Sequence, residues 1–242
     1  NIVMKFCVSL TTIPSRLEGL NKTIKSINSQ TIKADKILLN IPIEYKRFNE
    51  KIDENKLKKI KENPNIIINR TIDYGPATKL LGSLKFLQNY DYVIILDDDH
   101  KYNKKMFEIF RNSYLQKKSN YSFYVQQIFD LSMGQGADGI LIKTDILNEI
   151  MKFYNKFIIN NKNLFLNDDL SISMYINYIK HDNILDISKK FKEETNKNLV
   201  YEVHTTINSL KDILNKNFLN RRKIAKIEII KFKIKKYLNR IF

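Results

Sequence analysis

The run Tyr92-Val93-Ile94-Ile95-Leu96 leads directly into three consecutive acids, Asp97-Asp98-Asp99. An apolar run this short and β-branched, closed by charge, predicts a buried strand of a mostly parallel sheet. Ligands of such sheets bind outside the carboxyl ends of the strands, where these aspartates fall. Side chains alternate along an extended chain, so Asp97 and Asp99 are expected on one side and Asp98 on the other. Two neighbouring carboxylates repel by roughly 4 kcal/mol at ~4 Å and an effective dielectric of about 20. A divalent cation turns that penalty into attraction, and hard ions such as Mg²⁺ or Mn²⁺ favour oxygen donors. An acidic turn is the plainer reading, but polar turns draw on Gly, Asn and Pro more than on a block of charge.

The segments before this run repeat its pattern. Val3 to Leu10, Lys36 to Pro42 and Asn65 to Arg70 predict further strands. Between them, Leu17, Leu20, Ile24 and Ile27 share one face of a helix ending near Asn28, and Lys51 to Glu62 forms a charged second helix. Pro76 opens a helix to Leu87, at the position where its missing N–H costs nothing. Strand and helix in alternation predict an α/β fold built of βαβ units, with helices flanking a mostly parallel sheet. Past Asp99 we expect a helix over Lys104 to Leu115, a strand over Ser122 to Ile128, and a glycine-rich turn from Gly134 to Gly139. A short strand, Ile140 to Ile142, leads to a helix with Thr144 as N-cap. Asn167-Asp168-Asp169 opens a last helix of this part, its apolar face carrying Leu170, Met174 and Ile176. With no internal repeat and no clear linker, the expected partition is one domain over residues 1–208 and a basic tail over 209–242.

A chain of 242 residues can bury a sizeable core. Cys7 is its only cysteine, which excludes an internal disulfide and fits a reducing compartment. No apolar stretch approaches the roughly 20 residues that span a bilayer, and no secretory signal is visible. Because the chain begins at Asn1 and enters a strand almost at once, we read it as a trimmed segment. The expected location is cytoplasmic, at most peripheral on the cytoplasmic face of a membrane. The net charge of +16 is uneven: from Asn215 to Phe242, ten Lys/Arg face the single acid Glu228. In that tail Ile224, Ile227, Ile230, Ile234, Leu238 and Ile241 recur at helical spacing between the basic residues. The pattern fits an interfacial helix on an anionic membrane; a docked helix with a solvated basic face is the alternative. Nucleic acid would suit the charge, but no zinc spacing, RNP-type motif or helix-turn-helix accompanies it, so none is expected.

Gly134, Gly136 and Gly139 have the spacing G-x-G-x-x-G, yet they precede a strand where a dinucleotide fingerprint opens a helix. An ordinary turn and a loop that lets backbone approach a sugar or phosphate fit them equally. Asp168 and Asp169 stand where capping and the helix dipole favour acids. Beside a metal-binding acidic site they acquire a second reading, as a carboxylate that accepts a proton from a substrate hydroxyl. Of the three histidines, His100 is expected to point away from Asp99, and His181 and His204 carry no motif of their own. Lys79 and Arg16 fall in loops after strands, where a cation can face a diphosphate.

Taken in order, Leu10-Thr11-Thr12-Ile13-Pro14-Ser15-Arg16, Asp73-Tyr74-Gly75-Pro76-Ala77-Thr78-Lys79-Leu80, Asp97-Asp98-Asp99, Gly134 to Gly139 and Asn167-Asp168-Asp169 resemble small bacterial and viral glycosyltransferases. These have the GT-A fold, a Rossmann-like single domain with a DxD motif. The resemblance implies that Asp97 and Asp99 hold Mn²⁺ or Mg²⁺ and the diphosphate of a nucleotide-sugar, with His204 as a further metal ligand. Thr11, Arg16, Asp73, Lys79 and Asp98 would line the nucleotide side, and Gly136 and Gly139 would face donor sugar and acceptor. Asp169 would be the base, with Asp168 its rival. The implied activity is transfer from a UDP-sugar, with inversion, to a glycan, lipid or protein hydroxyl. A sugar nucleotidyltransferase, or an inactive basic protein binding membrane or nucleic acid, stands as the alternative. His100 after the acids, and a glycine loop without tryptophan, depart from the family pattern on the acceptor side.

Overall fold

The computed structural model describes residues 4–204 and 210–239, with the side chains of the final helix described over 220–238. The partition at residue 208, the strand start at Val3 and the tail position Ile241 lie outside the described residues.

Seven strands form the central sheet: β1 (Phe6–Thr11), β2 (Lys36–Pro42), β3 (Ile66–Thr71), β4 (Tyr92–Ile95), β6 (Asn120–Ser122), β9 (Ile140–Lys143) and β10 (Ile184–Asp186). Their order across the sheet is β10-β6-β9-β4-β1-β2-β3. All neighbouring pairs are parallel except those of β9, which runs against β4 and β6. Two small antiparallel pairs complete the strands: β5 (His100–Tyr102) with β11 (Tyr201–Val203), and β7 (Val125–Ile128) with β8 (Leu131–Gly134).

Helices cover both faces, which is why the central strands carry apolar residues on both sides, with few polar interruptions. On one face Val8, Leu10, Ile94 and Leu96 pack against α1 (Leu20–Asn28), α2 (Glu54–Lys61), α5 (Met106–Gln116) and α9 (Ser188–Thr195). On the other, Cys7, Val93 and Ile95 meet α3 (Thr78–Leu81), α4 (Leu84–Leu87), α6 (Ile150–Phe153), α7 (Lys162–Phe165), α8 (Asp168–Met174) and α10 (Leu210–Asn239). The periodic helix face read from the sequence is the buried one: Leu20, Ile24 and Ile27 all point into the core.

Three expected elements differ. The helix over Pro76 to Leu87 is broken into α3 and α4, because Asn69 Nδ2 takes the Gly82 carbonyl at 2.7 Å and removes it from a continuous helix. The single strand over Ser122 to Ile128 is two: β6 stays in the main sheet, while β7 turns out of it to form a hairpin with β8. Thr144 does not cap a helix with its side chain; its hydroxyl donates to the carbonyls of Tyr90 and Asp91 at the edge of β4. No helix among the described residues is long and apolar enough to cross a membrane.

Helix α10 docks, but not through the face its isoleucines mark. Ala225, Glu228, Ile229 and Phe232 are buried, whereas Ile227, Ile230, Ile234 and Leu238 are exposed. Phe232 packs edge-on to Phe153 and Phe157 and stacks on Tyr178.

Candidate active site

The site begins with three polar residues that interrupt apolar strands. Ser9 on β1, Asn40 on β2 and Asn69 on β3 are all buried, and Asn40 and Asn69 pair directly across the sheet. Buried polar groups need partners, and these find theirs on α3 and the break after it. Ser9 Oγ donates to the Lys79 carbonyl, Asn40 Nδ2 to Ser83 Oγ at 2.7 Å, and Asn69 Nδ2 to Asn40 Oδ1 at 2.9 Å. A Cβ on Gly82 would lie 2.9 Å from Asn40 Cγ, so a side chain there would push the helix off the sheet.

Fixing α3 fixes Lys79. Its ammonium is buried between Asp97 Oδ1, in a very short ion pair, and Asp168 Oδ2 at 2.9 Å. Burial works against the charge, but Asp168 and Asp97 outweigh it and hold the amine protonated well beyond the usual lysine range. Lys79 thus joins the aspartate loop after β4 to the acidic pair of α8.

Within that loop Asp97 and Asp99 come together, each placing an oxygen within 4.8 Å of the other. Asp98 turns inward: Thr12 Oγ1 donates to its Oδ2 at 2.5 Å and Arg16 to its Oδ1 at 2.9 Å, while Thr23 on α1 donates to its carbonyl at 2.8 Å. Burial pushes this carboxyl up, with Arg16 and Thr12 opposing. Asp99 is not turned fully away from Asp98, because its Oδ2 reaches the same Arg16 Nη1 at 3.3 Å. The alternation also fails at His100, because the strand ends at Ile95 and the chain bends at Asp98 and Asp99 before β5 begins. His100 therefore does not point away from Asp99, as alternation predicts; its Nδ1 lies 2.6 Å from Asp99 Oδ1.

Asp97, Asp99 and His100 each place one ligand atom within 4.8 Å of the others. Asp99 Oδ1 and His100 Nδ1 are both buried and lack a hydrogen-bond partner of their own. An N–H on Nδ1 bridges the two atoms when His100 is protonated there; with that nitrogen bare, the same two atoms beside Asp97 form an oxygen-and-imidazole donor set that fits a divalent metal. Burial raises the Asp99 carboxyl, but His100 and Arg16, 3.3 Å from Asp99 Oδ2, outweigh it and hold it at about 2. It is therefore ionised and ready to ligate.

His204 lies outside this cluster. Its Nε2 is 3.0 Å from Thr23 Oγ1 and its backbone N–H reaches the Asp99 carbonyl at 3.4 Å. Since the Thr23 hydroxyl already donates to Asp98, Nε2 is the donor in that pair. His204 thus braces the aspartate loop from behind, and His100 occupies the position beside the two acids.

The glycine loop closes over the acids. A Cβ on Gly136 would lie 2.9 Å from Lys79 Nζ, 3.0 Å from Asp97 Oδ1 and 3.2 Å from Asp169 Oδ1. Its bare Cα therefore borders the space where all three groups meet. Its N–H also donates to Asp169 Oδ1 at 2.8 Å. Gly139 has φ +79°, and a Cβ there would strike Met106 Cε at 2.3 Å, so this glycine shapes the turn and does not face a ligand. Asp138 between them is buried; burial pushes its carboxyl up to about 6, with His100 opposing and Asp97 adding to the rise.

Capping does not consume Asp168 and Asp169. Asn167 caps α8 by accepting from the Leu170 N–H at 3.1 Å, leaving both acids to face the site. Burial raises the Asp169 carboxyl well above its ordinary value, Asp168 adds to the rise, and Lys79 opposes it. Two expected nucleotide-side residues are committed to backbone. Thr11 Oγ1 donates to the Asn40 carbonyl at 2.7 Å, and Asp73 accepts from the N–H groups of Lys46 and Gly75, both at 2.7 Å. Arg16 remains half-exposed at the rim, between Asp98 and Asp99.

No protein-family model and no curated protein sequence matches the chain. Among solved structures it is similar to 4-diphosphocytidyl-2C-methyl-D-erythritol synthase of Anaerococcus prevotii, at 15% identity and TM-score 0.53, over 76% of this chain and 87% of that one. It is also similar to the mannosyltransferase PcManGT of Pyrobaculum calidifontis, solved with GDP-Man and Mn²⁺, at 11% identity and TM-score 0.52, over 75% and 54%. The fold is GT-A-like. Residues 1-349 of S. aureus TarS match at 14% identity and TM-score 0.49 over 72% of this chain, which spans 56% of the TarS segment. At these identities the likeness establishes architecture alone; chemistry has to come from the side chains.

Proposed function

We propose that the chain is a metal-dependent glycosyltransferase that moves a sugar from a nucleotide-sugar, a UDP-sugar by preference, to an acceptor hydroxyl with inversion. The observation that carries this reading is Asp169, a carboxylate of raised proton affinity bordering the same small space as Asp97 and Lys79. An alcohol is a poor nucleophile until a positioned base removes its proton, and a base works best when its pKa approaches the working pH. Asp169 Oδ1, oriented by the Gly136 N–H, is placed to take that proton. Asp168, ion-paired to Lys79, is the less available of the two.

Asp97, Asp99 and His100 would hold the metal, with Mn²⁺ the ion of choice. When bound, it supplies positive charge for the departing nucleoside diphosphate. Arg16 at the rim adds a cation toward the same phosphates. Thr11 and Asp73 act by shaping the walls of the nucleotide side, and Asp98 by anchoring the loop.

The second reading, a sugar nucleotidyltransferase, is favoured by the 87% of the Anaerococcus synthase that the likeness covers. Its nucleophile would be a phosphate, which is already anionic at neutral pH and needs no base. Asp169 argues against it. Incubation with Mn²⁺ and a panel of UDP-sugars, in parallel with UTP and sugar-1-phosphates, separates the two. Glycosyl transfer releases UDP from the first set; pyrophosphate from the second set would overturn the proposal.

A further inference from the structure

The outward face of α10 has no role in the site. Its buried face is Ala225, Glu228, Ile229 and Phe232, each at most 4% exposed. At roughly 100° per residue, Ile227, Ile230, Ile234 and Leu238 form a line on the opposite side of the helix, and their exposure climbs from 42% to 73% along it. Four aliphatic side chains aligned in water on a helix already anchored by its other face are not accounted for by folding. Phe129, 56% exposed at the tip of the β7–β8 hairpin, extends the apolar surface beside the helix; the Lys226 ammonium lies 5.8 Å from its ring. Lys233 ties the hairpin to the helix through Asp130 at 2.5 Å.

Basic residues border the line. At the same spacing Lys223 continues the line at its start, Lys226 borders it on one side and Lys231, paired with Glu228 at 3.1 Å, on the other, all exposed. Next to Lys231 is a cavity of about 360 Å³ lined by Lys156, Asn160, Asn161, Glu228, Lys231 and Lys235. Lys156 and Lys235 both approach the Phe157 ring, at 5.9 and 5.2 Å, and Phe157, Leu164 and Phe232 supply the apolar part of the cavity wall.

We propose that this face of α10 is a docking surface for an anionic phospholipid bilayer. The isoleucines and Leu238 enter the headgroup–acyl boundary while the exposed Lys223 and Lys226 meet lipid phosphates. Charge selects this occupant. A second copy of the helix would bring two lysine-bordered stripes together and set like charges face to face, whereas an anionic surface satisfies the aliphatic line and the cationic borders at once. The inference is independent of the chemistry assigned to Asp169.

The test is co-sedimentation of the full chain with vesicles of phosphatidylcholine, alone or with about 30 mol% of the anionic phosphatidylglycerol. Ile230→Asp/Ile234→Asp and Lys223→Glu/Lys226→Glu alter exposed side chains only and should leave the melting temperature unchanged. Ile230→Ser/Ile234→Ser removes the apolar line without adding charge. Wild type should bind the anionic vesicles, weaken as salt rises, and lose tenfold or more in affinity with each variant. Unchanged binding of either isoleucine variant would overturn the proposal. So would a dimer in vesicle-free solution that Ile230→Asp/Ile234→Asp dissolves.

Discussion

Asp169 has opposite consequences for stability and for activity. Its folded-state pKa is raised by burial and by Asp168, so ionising it costs the native state more than the unfolded chain. The sign follows from linkage: its contribution is intact below the unfolded carboxylate value near ~3.9 and is lost as pH rises through the higher folded value. At pH 7 the wild-type chain is therefore held below its attainable stability. Asp169→Asn should raise the melting temperature of the ligand-free protein at pH 7 by about 2–4 °C, the shift that ~1 kcal/mol produces in a domain of this size. A base must also be ionised to work, so kcat/KM should fall with acid at a pH above the ordinary carboxylate range, which a pH–rate profile reads directly. Gly136→Ala makes a sharper test of the cleft. A methyl 2.9 Å from Lys79 Nζ and 3.0 Å from Asp97 Oδ1 should lower turnover at least roughly tenfold, about 1.4 kcal/mol of barrier, and should also lower the melting temperature, because the buried Lys79 is held by Asp97 and Asp168.

The acids at the site are legible in the sequence because adjacent carboxylates at the end of a buried strand repel one another unless a cation meets them. The cluster that aims Lys79 is not. Ser9, Asn40 and Asn69 look like breaks in otherwise apolar strands; the signal available is that each lies toward the C-terminal end of a neighbouring parallel strand, where a polar residue can meet a helix. Asn40→Ala should leave Asn69 and Ser83 short of partners and cost about 1–3 kcal/mol, measured by chemical denaturation. It should also weaken turnover, because α3 loses its tether. The third residue of the candidate metal cluster escapes the sequence for a related reason. Period-two alternation predicts side-chain direction only along extended backbone, and the chain bends at Asp98 and Asp99, which brings His100 to Asp99. The glycine spacing reads as non-Rossmann from its place before a strand, yet spacing cannot show that Gly136 borders the acids while Gly139 serves the turn.

The parallel architecture follows from strand–helix alternation over the first hundred residues, where each βαβ unit is local. It is less legible beyond Asp99, since β5, β6, β10 and β11 have three residues each, too few to show a period. The final helix illustrates the limit of periodicity on its own. Its most regular apolar line is the one left in water, and its docked face combines Ala225, Ile229 and Phe232 with a buried Glu228. Glu228 is acceptable there because Asn161, Asn163 and Lys231 all donate to it, at 2.6, 3.0 and 3.1 Å. The tail is consequently part of the core. Phe232→Ala, which empties an aromatic cluster, should destabilise the protein by about 3–5 kcal/mol, as a calorimetric melt would show; a loss below ~1 kcal/mol would mean that the helix is dispensable to the fold.

The decisive experiment compares donor binding and sugar transfer in Asp169→Asn with the same quantities in wild type, using Mn²⁺ and the UDP-sugar that stabilises the protein most in a thermal-shift panel. Wild type should release UDP only when the metal is present. The variant should keep its donor-induced thermal shift and lose turnover by about a hundredfold or more, within the range set by removing a general base. Near-normal UDP release by Asp169→Asn would contradict the assignment of that carboxylate and, with it, the transfer chemistry proposed for this cleft.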